Sequence, residues 1–313
     1  MQHLTQWLSA GALLASSVAV ADTVEARSPR QPRSPDSAFT RMFPDLPPFA
    51  AQTDASRNAA VQLGARGSVL DAQDNLTDPI QSIINQPVFS PNNLDNPAMT
   101  AGVTFFGQFL DHDVTFDRRS VLMVNADPAR TRNFRTAAFD LDSLYGEGPE
   151  RSSELYDLSS GDYKFRIDPI PGSQAVSRRG ALRYDLPRDG AGEAIIGDSR
   201  NDEHVILSQL HLAMLRFHNA VVDRLRADPR TQGATPRELF HRARRKVTWH
   251  YQWIIVNEFL PMTIGQPLVD RLLRDGTSFY RAGRSRDSGG NPLLPVELSV
   301  AAYRFGHSQV RPG

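Results

Sequence analysis

The sequence predicts a mainly α-helical fold with long irregular loops between the helices, and three observations lead there. Residues 203–226, EHVILSQLHLAMLRFHNAVVDRLR, carry apolar side chains at three- and four-residue spacing with no Gly or Pro, the pattern of a helix with one buried face. Thr235-Pro236-Arg237-Glu238 is a capping box with proline at the first helical position. The helix it opens should run to about Phe259, before Pro261. No segment shows the alternation of a half-buried strand, and there is no internal repeat.

Taken in order, residues 8–21, LSAGALLASSVAVA, form a short apolar run that ends in Ala19-Val20-Ala21, a signal-peptidase type of site. A signal peptide over 1–21 is therefore expected, and with it a secreted or periplasmic location. No Lys or Arg precedes the run, so a disordered leader, or a helix exposed by a wrong start codon, gives the same pattern. No other stretch is expected to span a bilayer. Residues 22–50 are rich in Pro, Arg and Ser and are expected to be a linker. From Ala51 to Met99 the breakers Asn, Asp and Pro surround short apolar pieces, so this part is expected to wrap a core as loop. Asn96-Pro97 supplies an N-cap and a first-position proline for a helix through Thr104 to Asp117. Residues 118–190 are irregular. Residues 267–275 give a short helix stopped by Gly276, and Arg281 to Asn291 a polar loop. Pro295 to Gln309 reads as a last helix, with Val296, Val300 and Tyr303 on the side that carries His307. The expected folded unit is 51–313.

Composition narrows the chemistry. The 313 residues would suggest about two domains, although many single enzymatic domains are this large. The net charge is zero, which argues against a nucleic acid or other polyanionic partner. There is no cysteine, so disulfides, zinc–thiolate sites, iron–sulfur clusters and thiol catalysis are excluded. A metal must be held by His, carboxylate or carbonyl groups, or arrive inside a cofactor.

Three clusters carry chemistry. In TFFGQFLDHDVTFD, residues 104–117, Gln108 and His112 stand at i and i+4, so a helix aims both at one spot. Asp111 and Asp113 flank the histidine behind an apolar stretch, where such polarity is costly unless it meets a ligand. A helix end whose acids point at water fits the same pattern. In TAAFDLDSLYG, residues 136–146, the alternating oxygens of Thr136, Asp140 and Asp142 resemble a short calcium loop, and a turn capped by its own carboxylates would read alike. In GDSRNDE, residues 197–203, the helix dipole accounts for Asp202 and Glu203 but not for Arg200. Among the eight histidines, His112 stands out for these neighbours. His307 stands out because Gly306 lets a bulky planar group approach.

With HYQWIIVNEFLP and VAAYRFGHS, these motifs occur in an order that closely resembles the animal-type haem peroxidases, the myeloperoxidase, lactoperoxidase and peroxidasin group and their bacterial relatives. The resemblance covers about Ala51 to Gly313. It implies their helical fold, haem b and Ca2+ as cofactors, and peroxide-dependent oxidation of halide or phenolic donors. In that family the residue matching His112 is the distal histidine, Gln108 lines the same pocket and Arg200 matches the distal arginine. His307 matches the proximal iron ligand, with Arg304 beside the cofactor. Asp111 and Glu203 match carboxylates that form ester links to haem. Calcium ligation would fall to Asp113, Thr136, the Ala138 carbonyl, Asp140 and Asp142.

Two departures qualify the resemblance. His204 stands where myeloperoxidase has its sulfonium-forming methionine, so a third haem link is not expected. Arg304 stands where the fatty-acid dioxygenase branch has its radical tyrosine, with Tyr303 one position away, which disfavours oxygenase chemistry. The chain stops soon after His307, before the family's asparagine partner of the proximal histidine, so a C-terminally truncated member is expected. The alternatives are an inactive calcium-binding fragment and a haem fatty-acid dioxygenase.

Overall fold

The computed structural model of the chain describes residues 37–71, 98–117, 130–159, 161–177, 180–277, 280 and 292–309. The expected signal peptide, residues 22–36 of the linker, Asn96-Pro97 and the 281–291 loop lie outside the described residues.

Helices dominate, as the periodicity requires: α1 (Asp54–Leu63), α2 (Ala101–Val114), α3 (Asp142–Tyr145), α4 (Ser173–Val176), α5 (Val205–Arg226), α6 (Pro236–Ile254), α7 (Leu260–Ile264), α8 (Gln266–Asp275) and α9 (Val296–Val300). Further 3-10 turns cover Ser199–Asp202 and Ala302–Gln309. The expectation of no strands is corrected. Six two-residue strands form three antiparallel pairs, β1 (Ser37–Ala38) with β2 (Arg132–Asn133), β3 (Tyr156–Asp157) with β4 (Lys164–Phe165), and β5 (Asp168–Pro169) with β6 (Tyr184–Asp185). Two residues are too few to show an alternation.

Other boundaries differ for local reasons. α1 lies in the stretch expected to be loop. It is capped by the Thr53 hydroxyl, which accepts from Ser56 N, and buries none of its residues, so its sequence shows no apolar stripe. α2 starts at Ala101 with Thr100 as N-cap, later than Asn96-Pro97 would place it. α6 keeps the capping box, Thr235 and Glu238 bonding reciprocally. Pro261 does not end the run: a π turn over Ile255–Phe259 leads into α7, where the proline occupies the first turn, a position that needs no amide proton. α8 stops at Gly276, as expected. The expected 295–309 helix breaks at Ala301, φ −133° and ψ −67°, and resumes as a 3-10 turn. Val300 and His307 are consequently exposed while Tyr303 is buried, so the shared side is lost.

The core gathers around α2, which packs on α5, α3 and the 302–309 turn. Phe109 and Leu110 are wholly buried, each burial worth about 1.5–3 kcal/mol. Phe106, Phe109 and Phe139 meet the Tyr251 ring edge to face. Gly107 makes the close approach possible, since a Cβ there would stand 3.2 Å from the Phe259 ring. By length and composition α5 is able to cross a bilayer, contrary to expectation. Here Leu207, Leu212 and Leu215 join the core around α2.

Candidate active site

The helical period of α2 turns Gln108, Asp111, His112 and Thr115 to one side. Gln108 Nε2 donates to Glu203 Oε2 at 3.2 Å, and its Oε1 accepts from His204 Nε2 at 2.9 Å. His204 also caps α5, its Nδ1 accepting from Leu207 N. His112 retains 5 % of its surface, and its Nδ1 stands 2.8 Å from Asn201 Oδ1. Burial and the nearby Arg200 guanidinium hold His112 below the ordinary imidazole range, so it is neutral at pH 7 and able to accept a proton. Asp111 accepts from the Thr115 hydroxyl at 3.1 Å and lies 3.4 Å from Arg304 Nη1.

The 198–204 turn brings the guanidinium. The buried Asp198 caps it by accepting from Arg200 N. Arg200 Nε and Nη2 both reach Asp198, and Nη2 also donates to the carbonyls of His112 and Thr115, at 3.1 and 2.7 Å. Nη1 is left without a hydrogen bond among the described residues. The guanidinium carbon lies 4.5 Å over the Phe116 ring. Burial works against the Asp198 charge, but hydrogen bonds and charge from Arg200 and Arg135 outweigh it and hold the carboxyl at about 2.

Arg135 links this turn to a second cluster. It donates to Asp198 Oδ2 and to the Gly197 carbonyl, and its Nε is 3.7 Å from Asp142 Oδ1. Carboxylate oxygens of Asp113, Asp140 and Asp142 lie within 4.8 Å of one another. Asp113, fully buried, accepts from Leu141 N, Ser143 N and the Ser143 hydroxyl. Thr136 donates its hydroxyl to Asp140 and its amide to Asp142. The loop holds its shape through Leu141 in the left-handed region, φ 59°. Burial, then the Asp142 charge, push the Asp113 carboxyl up to about 7, since each disfavours its charged form.

The 302–309 turn reaches α2 from the other end of the chain. Tyr303 donates its buried hydroxyl to the Gly107 carbonyl at 2.8 Å, and Arg304 reaches Asp111. The exposed His307 does not join the cluster by hydrogen bonding. Its Nδ1 lies 3.0 Å from the Arg304 carbonyl, which leaves Nε2 without a hydrogen bond among the described residues. Asn201 and His211, which bonds Asn201, escaped the sequence reading, and His204 entered it only as a departure from the family pattern. Asn201 was hidden inside GDSRNDE, and each histidine taken alone reads as an ordinary helix residue. A concavity of about 300 Å³ floored by Arg242, Arg245 and Lys246 lies beside Leu225. That is the far end of α5, roughly 30 Å along the helix from His204.

Residues 122–313 match the family model described as animal haem peroxidase. The chain belongs to this family. It is 27 % identical over 292 residues to a peroxidase-like protein of Margaritifera margaritifera, covering 74 % of this chain and 34 % of that protein. It is 35 % identical over 183 residues to the chorion peroxidase of Drosophila melanogaster, covering 55 % and 21 %. Human thyroid peroxidase is 26 % identical over 201 residues, covering 60 % and 20 %. The chain thus spans about a third or less of the length of these relatives. Among solved structures, a fatty acid alpha-dioxygenase of Oryza sativa aligns with a TM-score of 0.46 and 16 % identity, over 67 % of this chain and 40 % of that one. At that distance the likeness says nothing about chemistry.

The cofactor implied by the family fits the donors present. The His307 Nδ1 contact with a carbonyl holds the ring proton there and leaves the Nε2 lone pair free. A Cβ built on Gly306 would meet nothing within 4 Å, so there is room beside the imidazole.

Proposed function

We propose that this chain forms the peroxide-activating part of a secreted or periplasmic haem peroxidase that oxidises halide or phenolic donors. The observation that carries the reading is the gathering at the C-terminal end of α2 of a neutral, buried imidazole, an amide and a guanidinium: His112, with Gln108 one turn before it, and Arg200, bonded to the carbonyls of His112 and Thr115. His307 would hold the iron, with Arg304 beside it and Asp111 and Glu203 as ester sites. Haem, when bound, supplies the two electrons that cleave the O–O bond.

The protein's own part is proton transfer and charge. His112 Nε2 takes the proton of the near peroxide oxygen and returns it to the far one, which leaves as water. Arg200 offers Nη1 to the negative charge that grows on the departing oxygen, a charge-assisted bond strongest in a water-poor site. Its other nitrogens are occupied by Asp198, His112 and Thr115, so the cation is fixed before peroxide arrives. Gln108, pinned by Glu203 and His204, fills the adjoining wall.

The second cluster we assign to calcium, held by Asp113, Thr136, the Ala138 carbonyl, Asp140 and Asp142. Three converging carboxylates and the raised Asp113 carboxyl support it. Because Asp113 follows His112, the ion would steady the histidine. The test is a haem titration. A Soret band that appears with wild type and is lost in His307→Ala is expected; equal binding by both would refute the axial assignment.

A further inference from the structure

We propose that Asn201 and His211 act as positioning residues that fix His112 with its ring proton on Nδ1, so that Nε2 presents the lone pair. This deepens the peroxidase reading and takes its purpose from it. The three groups form one buried line. His112 Nδ1 is 2.8 Å from Asn201 Oδ1, and Asn201 Nδ2 is 3.0 Å from His211 Nδ1. Asn201 and His211 are both fully buried. With the amide in this orientation its oxygen accepts, which puts the hydrogen of His112 on Nδ1, and its nitrogen donates, which leaves His211 Nδ1 bare. In water a neutral histidine favours the opposite tautomer, with the proton on Nε2, and such a ring could not serve as the base.

The line is held at both ends. Asn201 N donates to the Asp198 carbonyl at 3.0 Å, in the turn that carries Arg200. The His211 ring packs edge to face on Phe109 of α2, one turn before His112. His211 Nε2 is buried with no hydrogen bond among the described residues. A residue kept for packing alone would avoid that cost by being Leu or Phe. The imidazole has a part that Leu or Phe could not play: its Nδ1, at hydrogen-bond distance from the Asn201 amide, can hold that amide against His112.

The experiment uses the full chain labelled with 15N-histidine, without haem, at about pH 8, where imidazoles are neutral. Two-bond 1H–15N correlation spectra report the tautomer of each ring, and loss of signals in His112→Gln assigns His112. Wild type should show His112 with the proton on Nδ1. Asn201→Ala should move the ratio toward Nε2–H by about ten-fold, the worth of one hydrogen bond. Asn201→Asp keeps an acceptor and should keep Nδ1–H, although a buried carboxylate perturbs packing more than alanine does. His211→Leu should shift the ratio and His211→Asn, with an amide oxygen where Nδ1 stood, should restore it. This pair gives the same answer if Asn201→Ala does not fold. An Nε2–H wild type, or shifts that follow packing damage instead of acceptor loss, would overturn the proposal. Since no haem is present, failure of His307 to bind haem would count against the peroxidase reading alone.

Discussion

The two imidazoles of the site are held in opposite ways. His112 sits in a helix of the core, and its partner Asn201 lies 89 residues away. Around it Arg200, Glu203 and His204 all arrive from the same distant turn. His307 sits on an exposed 3-10 turn after a helix break, and its ring bonds a carbonyl only three residues back. The 302–309 turn is tied to α2 by Tyr303 on Gly107 and Arg304 on Asp111. The surroundings of His112 are therefore a tertiary construction, whereas the His307 ring itself is held only locally, although its turn is tied to α2. The lesson is about order: on the proposed reading, the ring that would move protons is fixed by distant partners, and the ring that would hold the iron is fixed by its own turn.

The strongest way to break this contrast is to remove the well-held ring. His112→Ala should slow the reaction with peroxide by ~10²–10⁴-fold and leave the Soret band of bound haem in place. Stopped-flow rates unchanged from wild type would refute its role. Acid should act further along α5. Burial holds His218, on α5, at about 3 against an ordinary 6.5, with the Tyr145 hydroxyl 3.0 Å from its Nδ1. The folded chain then binds fewer protons than the unfolded one between those values. Stability from this ring is complete above 6.5 and lost as pH falls toward 3. In His218→Asn, urea unfolding should lose up to about 1.4 kcal/mol per pH unit of that slope; an unaltered slope would show that the ring titrates normally.

Smaller changes sharpen the comparison. A Cβ on Gly197 would stand 2.5 Å from the Ser143 carbonyl. Gly197→Ala should therefore cost about 1–3 kcal/mol of stability, read as a lower denaturant midpoint. Tyr303→Phe removes one hydroxyl bond from the axial side, worth about 1 kcal/mol. Hydrogen exchange should quicken in residues 302–309 while α2 keeps its protection; equal quickening in both would mean the two sides are not separately held.

What could be read from the sequence follows the range of the interactions. The α2 face was legible because a helix fixes which residues point together, and the α6 start because a capping box is a local code. The Asp113–Asp142 grouping came from the family resemblance, since nothing local joins residue 113 to 140. The break at Ala301 and the π turn before Pro261 were not legible, because packing, not propensity, decides them. Nor was the Asn201–His211 line, whose members are each unremarkable until the turn folds back on α5.

Asp142, Arg135, Asp198 and Arg200 form a row of alternating sign between the carboxylate loop and the plane of Phe116. Such a row is neutral as a set, so it raises little field of its own, yet deleting an interior member sets like charges facing each other. Arg135→Leu would leave Asp142 and Asp198 in mutual repulsion and Arg200 with an overloaded partner. A cation added beside Asp142 would enter at one terminus and be felt, with alternating sign, at the guanidinium on the other.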